Sequence, residues 1–184
     1  MQSQSSKVTS SSLRSKKNIC TCIDKSFVKE AIEMVACALI TFSIITLIFD
    51  KSFIMSGSME PTLMTGDTVI YYANPLYSPE YGDIIEFNHN GEVYSKRVIG
   101  VPGDKISFSN GNVYINGAKA PDIAKVKDGI TFSPQEDSFT VPDGKMFVLG
   151  DNRTNSYDSR FWNNPFVSIS DVRGKYLCTL SSKE

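Results

Sequence analysis

The sequence predicts an all-β domain of many short antiparallel strands behind one N-terminal transmembrane helix. Three observations carry that prediction: an uncharged apolar run from Met34 to Phe49, short β-branched and aromatic segments from Ser52 onward, and three Asn-Gly pairs between them. No long helical period competes after the apolar run, so a sandwich or barrel-like arrangement is the natural class.

Residues 1–28 come first, rich in Ser, Thr and Lys and poor in large apolar groups. Such a stretch cannot bury enough surface to offset its ordering entropy and reads as a disordered cytoplasmic tail. The apolar run from Met34 to Phe49 holds 16 residues, short of the roughly 20 that a membrane span needs. Ala31 and Ile32 before it, with Ser52, Phe53 and Ile54 after it, extend the apolar length, giving an anchor over 29–51. A cleavable signal peptide would carry a small-x-small site just beyond the run, where Phe49-Asp50-Lys51 stands instead. A core helix would carry an amphipathic stripe, and this run is apolar nearly all round. Lys7, Arg14, Lys16, Lys17, Lys25 and Lys29 precede it, and no basic residue follows Lys51 until Lys96. The positive-inside rule therefore predicts a cytoplasmic N-terminus and an extracytoplasmic domain over 52–184.

Thr68–Tyr72 and Ile84–Phe87 are strand-like, and Lys145–Leu149 reads as a later strand. Asn90-Gly91 predicts a hairpin between Ile84–Phe87 and Val93–Val101, and Asn110-Gly111 a second within Lys105–Ile115. Asn116-Gly117 supplies another tight turn. Pro121–Asp137 mixes polar and turn residues and reads as a surface excursion.

Composition excludes several functions. Net charge is −1 and no basic cluster interleaves with aromatics, so nucleic acid is not an expected partner. No Gly-rich phosphate loop opens a helix. Cys20 and Cys22 fall in the tail, Cys37 in the anchor and Cys178 alone in the exported domain, which permits no internal disulfide there. The Cys20-x-Cys22 pair lacks zinc spacing. The only histidine, His89, falls in a predicted turn tip and reads as surface decoration. With no Asp-Thr-Gly signature either, a hydrolase built on this chain needs a base other than histidine.

Ser56-Gly57-Ser58-Met59-Glu60-Pro61-Thr62-Leu63 breaks the β texture. Small hydroxyl residues beside Gly suit an exposed nucleophile on a tight turn, and equally suit a plain linker. Two further blocks alter the balance: Tyr94-Ser95-Lys96-Arg97 running to Asp104, and Gly150-Asp151-Asn152-Arg153 running to Trp162. With anchor and blocks in this order, residues 30 to 178 resemble the type I signal peptidases of bacteria.

The resemblance implies a signal-peptidase-like β fold and a membrane-bound serine endopeptidase that cuts small-x-small sites without cofactor or metal. It implies Ser58 as nucleophile and Lys96 as general base. The amine must then lose its proton, which burial against apolar groups favours. Ser56, with the backbone N–H of Ser58, is implied as the oxyanion hole, and Ser156 as the group orienting the lysine. Asp158 with Arg160, and Arg97 with Asp151, resemble structural ion pairs. Ile54, Met59 and Leu63 match positions lining shallow pockets for the residues one and three before the cut. Met55, Tyr94 and Ser95 adjoin these pockets, and Met55 and Ser95 depart from the usual bacterial pattern.

Partners implied are the signal peptides of secreted preproteins, the lipid bilayer and the secretion translocon, at the bacterial cell membrane in single-pass form. Ser58 lies nine residues past Phe49, so an extended chain holds it within about 30 Å of the anchor's end. Ser52-Phe53-Ile54-Met55 adds an apolar strip suited to the membrane surface. Two rivals stand beside this reading. A Ser–Lys self-cleaving repressor would need a DNA-binding region and no anchor. A membrane-tethered peptide-binding module without catalysis would be indifferent to Ser58→Ala and Lys96→Ala.

Overall fold

The computed structural model describes residues 25–73, 77–121, 131 and 138–181. Residues 1–24, with Cys20 and Cys22, and nearly all of the 121–137 excursion lie outside the described residues. The chain divides into two units, residues 1–42 and 43–184.

A single helix, α1, runs from Lys25 to Ile48. It contains no Gly or Pro, its most apolar stretch has a mean hydropathy of 2.3, and none of its residues is buried. Its hydroxyls turn inward: Thr41 donates to the Cys37 carbonyl at 2.8 Å and Thr46 to the Ser43 carbonyl at 2.9 Å. Backbone acceptors thus satisfy polar groups that lipid would leave unmet. The helix differs from the predicted 29–51 at both ends. Phe49–Phe53 is strand β1 rather than a helical extension, because its backbone pairs antiparallel with β2, Thr68–Tyr72, from Phe49 opposite Tyr72 to Phe53 opposite Thr68.

The remaining strands are β3 Ile84–His89, β4 Glu92–Gly100, β5 Lys105–Ser109, β6 Asn112–Ile115, β7 Ala118–Lys119, β8 Ser138–Thr140, β9 Lys145–Leu149, β10 Phe166–Ser168 and β11 Val172–Ser181. They form a seven-stranded sheet in the order β1-β2-β11-β3-β4-β9-β10 and a four-stranded sheet in the order β7-β6-β5-β8. Each Asn-Gly pair has both residues at positive φ, such as Asn90 at 52° and Gly91 at 85°. That geometry matches the twist of the flanking strands and closes the β3–β4, β5–β6 and β6–β7 hairpins.

Strand β11 has no counterpart among the predicted strands, yet it sits between β2 and β3. It holds only two β-branched residues, Val172 and Thr179, with Gly174 between them, and its register against β2 shifts between Tyr176 and Cys178 and again between Thr179 and Ser181. The glycine is required by contact: a Cβ there would meet the Tyr71 Cβ and the Tyr72 carbonyl oxygen, both at 3.0 Å.

Central strands are covered on both faces. Side chains alternate along β3, so Ile85 and Phe87 join Val98, Met146, Val148 and Trp162 in one core. Ile84 points the other way, into a core with Ile54, Met59, Leu63, Val69 and Tyr71. The same alternation along β4 sends Lys96 and Arg97 to opposite faces, both buried.

Candidate active site

The Ser56–Leu63 block is a short 3-10 turn, Gly57–Met59, that turns Ser58 inward. It is held from both sides. Met59 and Leu63, with 1% and 0% exposure, anchor it in apolar core. Asn152 donates its backbone N–H to the Ser58 carbonyl at 3.0 Å and its side-chain amide to the Gly57 carbonyl at 2.9 Å. Gly150 packs closely alongside: a Cβ there would lie 2.2 Å from Ser156 Oγ and 2.5 Å from the Ser58 carbonyl oxygen. A side chain at that position has no room.

Ser58 and Lys96 are brought together. Lys96 Nζ lies 2.6 Å from Ser58 Oγ as donor, and the lysine is 3% exposed. Burial lowers its pKa from 10.5 to about 8; nearby Asp158 and Asp151 oppose the shift and Arg160 reinforces it. None of these charges forms an ion pair with the amine among the described residues. When Nζ loses its proton, the same short contact reverses, and the Ser58 hydroxyl donates to the amine. Both residues line an open cavity of about 530 Å³ with Ser56, Tyr94, Ser156 and Tyr157. Ser56 Oγ lies 3.3 Å from Ser58 Oγ.

Ser156 borders the cavity, but its hydroxyl donates to Asp158 Oδ2 at 2.7 Å rather than to the lysine. Asp158 is fully occupied: it accepts from the Gly150 N–H at 3.0 Å and from Arg160 Nε and Nη2 at 2.8 and 2.9 Å. Arg97 pairs with Asp151 in a two-point contact, at 2.8 and 2.6 Å, and also donates to the Gly82 carbonyl at 2.6 Å. Thr62 completes that cluster by donating to Asp151 at 2.5 Å. The Arg97–Asp151–Thr62 cluster binds the 150s loop to both the Ser58 turn and β4.

Of the predicted pocket residues, Ile54, Met59 and Leu63 share one apolar wall. Tyr94 faces the cavity, while Ser95 turns to the other side and accepts from the Tyr71 hydroxyl at 2.8 Å. Met55 stands 85% exposed. His89 differs from its reading as surface decoration. It is the last residue of β3, and its ring stacks on Trp162 at 4.1 Å between centroids, because the turn residues proper are Asn90 and Gly91. Gly150, Asn152 and Thr62 carry no individual signal in the sequence, although all lie within two of the three matching blocks.

Two comparisons bear on this geometry, one with protein families and one with individual relatives. A family model described as "Signal peptidase, peptidase S26" matches residues 27–180. The probable signal peptidase I-2 of Synechocystis sp. is 36% identical over 153 residues, covering 77% of this chain and 67% of that protein. Signal peptidase I of Bacillus caldolyticus is 38% identical, covering 70% and 77% respectively. Signal peptidase I S of Bacillus subtilis is also 38% identical, covering 74% and 79%.

Proposed function

The chain belongs to the signal peptidase family, peptidase S26, and from that premise we propose that it removes N-terminal signal peptides from exported preproteins with Ser58 as nucleophile and Lys96 as general base. The observation that carries this reading is the 2.6 Å contact between a buried amine and a buried hydroxyl. Burial gives Lys96 a neutral fraction near neutral pH that an exposed lysine lacks.

In this mechanism neutral Lys96 takes the Ser58 proton as Oγ attacks the scissile carbonyl. The Ser56 hydroxyl and the Ser58 N–H stabilise the oxyanion, a contribution commonly worth about 3 kcal/mol per donor. The lysine then gives its proton to the departing amine of the mature protein, leaving an ester between the signal peptide and Ser58. Water, activated by the same amine, hydrolyses that ester and restores the enzyme. Ser156 acts on the lysine's surroundings through Asp158. The Asp158–Arg160 and Arg97–Asp151 pairs support the loop. Ile54, Met55, Met59, Leu63, Tyr94 and Ser95 contribute to substrate binding.

A single-pass membrane anchor is the role of α1, whose 24 residues measure about 36 Å at 1.5 Å per residue, longer than the apolar thickness of a bilayer. We place the tail at 1–28 in the cytoplasm and the catalytic domain, within 52–184, outside it. The basic residues before the apolar run favour that orientation. The lipid bilayer and the secretion translocon are the expected surroundings, and the exposed Phe53 and Met55 suit contact with lipid.

Detergent-solubilised protein incubated with an Ala-x-Ala preprotein tests the reading. Wild type releases the mature chain, and folded Ser58→Ala and Lys96→Ala do not. Cleavage by Lys96→Ala at the wild-type rate would remove the lysine from the mechanism.

A further inference from the structure

We propose that Asn152 is a positioning residue for the oxyanion hole: its side-chain amide fixes and strengthens the backbone N–H of Ser58 as the donor that meets the developing negative charge. The proposal rests on the peptidase reading above and extends it to a residue outside the Ser58–Lys96 pair.

The two donors assigned to that hole differ in kind. The Ser56 hydroxyl is a rotor, 3.3 Å from Ser58 Oγ, and can swing to meet a charge. The Ser58 N–H cannot swing, because it belongs to the planar Gly57–Ser58 peptide unit. Its direction is set by whatever holds the Gly57 carbonyl, which points the opposite way in the same plane. That carbonyl accepts from the Asn152 side-chain amide at 2.9 Å, and from the Glu60 N–H at a longer 3.3 Å. Among the described residues no backbone acceptor takes the Ser58 N–H itself, which leaves it for a ligand.

Asn152 holds the next peptide unit as well, since its backbone N–H donates to the Ser58 carbonyl at 3.0 Å. One residue thus grips the planes on both sides of Ser58. Its amide is oriented in turn by the Thr154 hydroxyl, which donates to Oδ1 at 3.4 Å and keeps the Nδ2 donor turned to Gly57. Asn152 is 3% exposed, and in such a site a hydrogen bond to a carbonyl also polarises the N–H across the same amide, by about 10–30% in strength. The gain grows with the charge that the N–H faces, so it favours the tetrahedral state over the bound substrate.

A peptide aldehyde and the matching alcohol, both built on Ala-x-Ala, isolate this effect. Ser58 Oγ adds to the aldehyde carbon, its proton passes to Lys96, and the former carbonyl oxygen takes the negative charge. The alcohol binds without that step. Full-length Asn152→Ala in detergent should bind the aldehyde about tenfold more weakly than wild type does, and the alcohol equally well. Its kcat on an Ala-x-Ala preprotein should fall by the same factor, with KM unchanged and the pH midpoint still near 8. Asn152→Leu, which keeps the bulk and removes the donor, should give the same pattern, so either folded variant decides. Unchanged kcat and aldehyde affinity overturn the proposal. Equal losses for aldehyde and alcohol overturn it too, as does a displaced midpoint, because a turn that is only slackened misplaces Ser58 against Lys96 for every ligand. Failure of wild type to cut the preprotein would strike the peptidase reading instead.

Discussion

Lys96 and Arg97 are consecutive cations on β4, both buried, at 3% and 7% exposure. Their surroundings differ completely. Arg97 meets the Asp151 carboxylate at two points and a backbone carbonyl besides. Lys96 meets a hydroxyl and a tyrosine ring 5.6 Å away, and among the described residues no carboxylate forms an ion pair with it. One strand thus carries a cation compensated by charge and a cation discouraged from being one. Burial alone does not make a base; burial without a counter-ion does.

The largest expected effect falls on the uncompensated side. Lys96→Met removes the proposed base with little change in volume, and kcat should drop about 10⁴-fold or more. Single-turnover cleavage of a preprotein measures it, and a loss under tenfold would erase the distinction between the two faces.

Arg97→Met should act instead on stability. It leaves Asp151, which has 0% exposure, with Thr62 but without its cation. Removing one partner of a buried pair costs about 3–5 kcal/mol. Urea unfolding should show this, with Asp151→Asn in the same chain recovering part of the loss. Gly150→Ala tests the packing between the two faces. A methyl group 2.2 Å from Ser156 Oγ must displace that serine or the Ser58 carbonyl, and a misplacement near 1 Å costs about 10²-fold in kcat.

Much of this was legible in the sequence because the signals are local. Asn-Gly fixes a hairpin through φ alone, and the uncharged run from Met34 announces an apolar helix without knowledge of what surrounds it. That Ser58 and Lys96 meet was legible for another reason: the order of three blocks resembles a known family, which spacing by itself could not have revealed. What escaped depends on contacts remote in sequence. Strand β11 carries a glycine and three register shifts, and only its place between β2 and β3 makes it a strand. Phe49–Phe53 read as helix extension because its partner, β2, lies beyond the Ser58 turn. Asn152 is an ordinary polar residue until its two donors are seen on Gly57 and Ser58.

Lys96→Met should also stabilise the protein, opposite in sign to Arg97→Met. The folded pKa, about 8, lies below the unfolded value of 10.5. The unfolded chain therefore holds the proton more tightly, and below pH 8 the folded state bears the full cost of the buried ammonium. Replacing the lysine by Met should raise the unfolding free energy there by about 3 kcal/mol. The gain should shrink as pH rises from 8 and vanish above 10.5. Stability no greater than wild type at pH 7 would mean that the ammonium is not disfavoured by its site.

The pH profile of cleavage gives the smallest effect and reads the same amine directly. With a folded pKa of about 8, the neutral fraction grows about fivefold between pH 7 and 8 and about twofold between 8 and 9. The rate kcat/KM should follow that curve, rising steeply and then levelling on the alkaline side. Arg97→Lys separates the two faces in one measurement. If the carboxylate on its side matters only for structure, the variant lowers stability and leaves the midpoint near pH 8. A midpoint displaced by a full unit would mean that the Arg97–Asp151 pair sets the proton affinity of Lys96 across the strand, and the two faces would have to be treated as one electrostatic site.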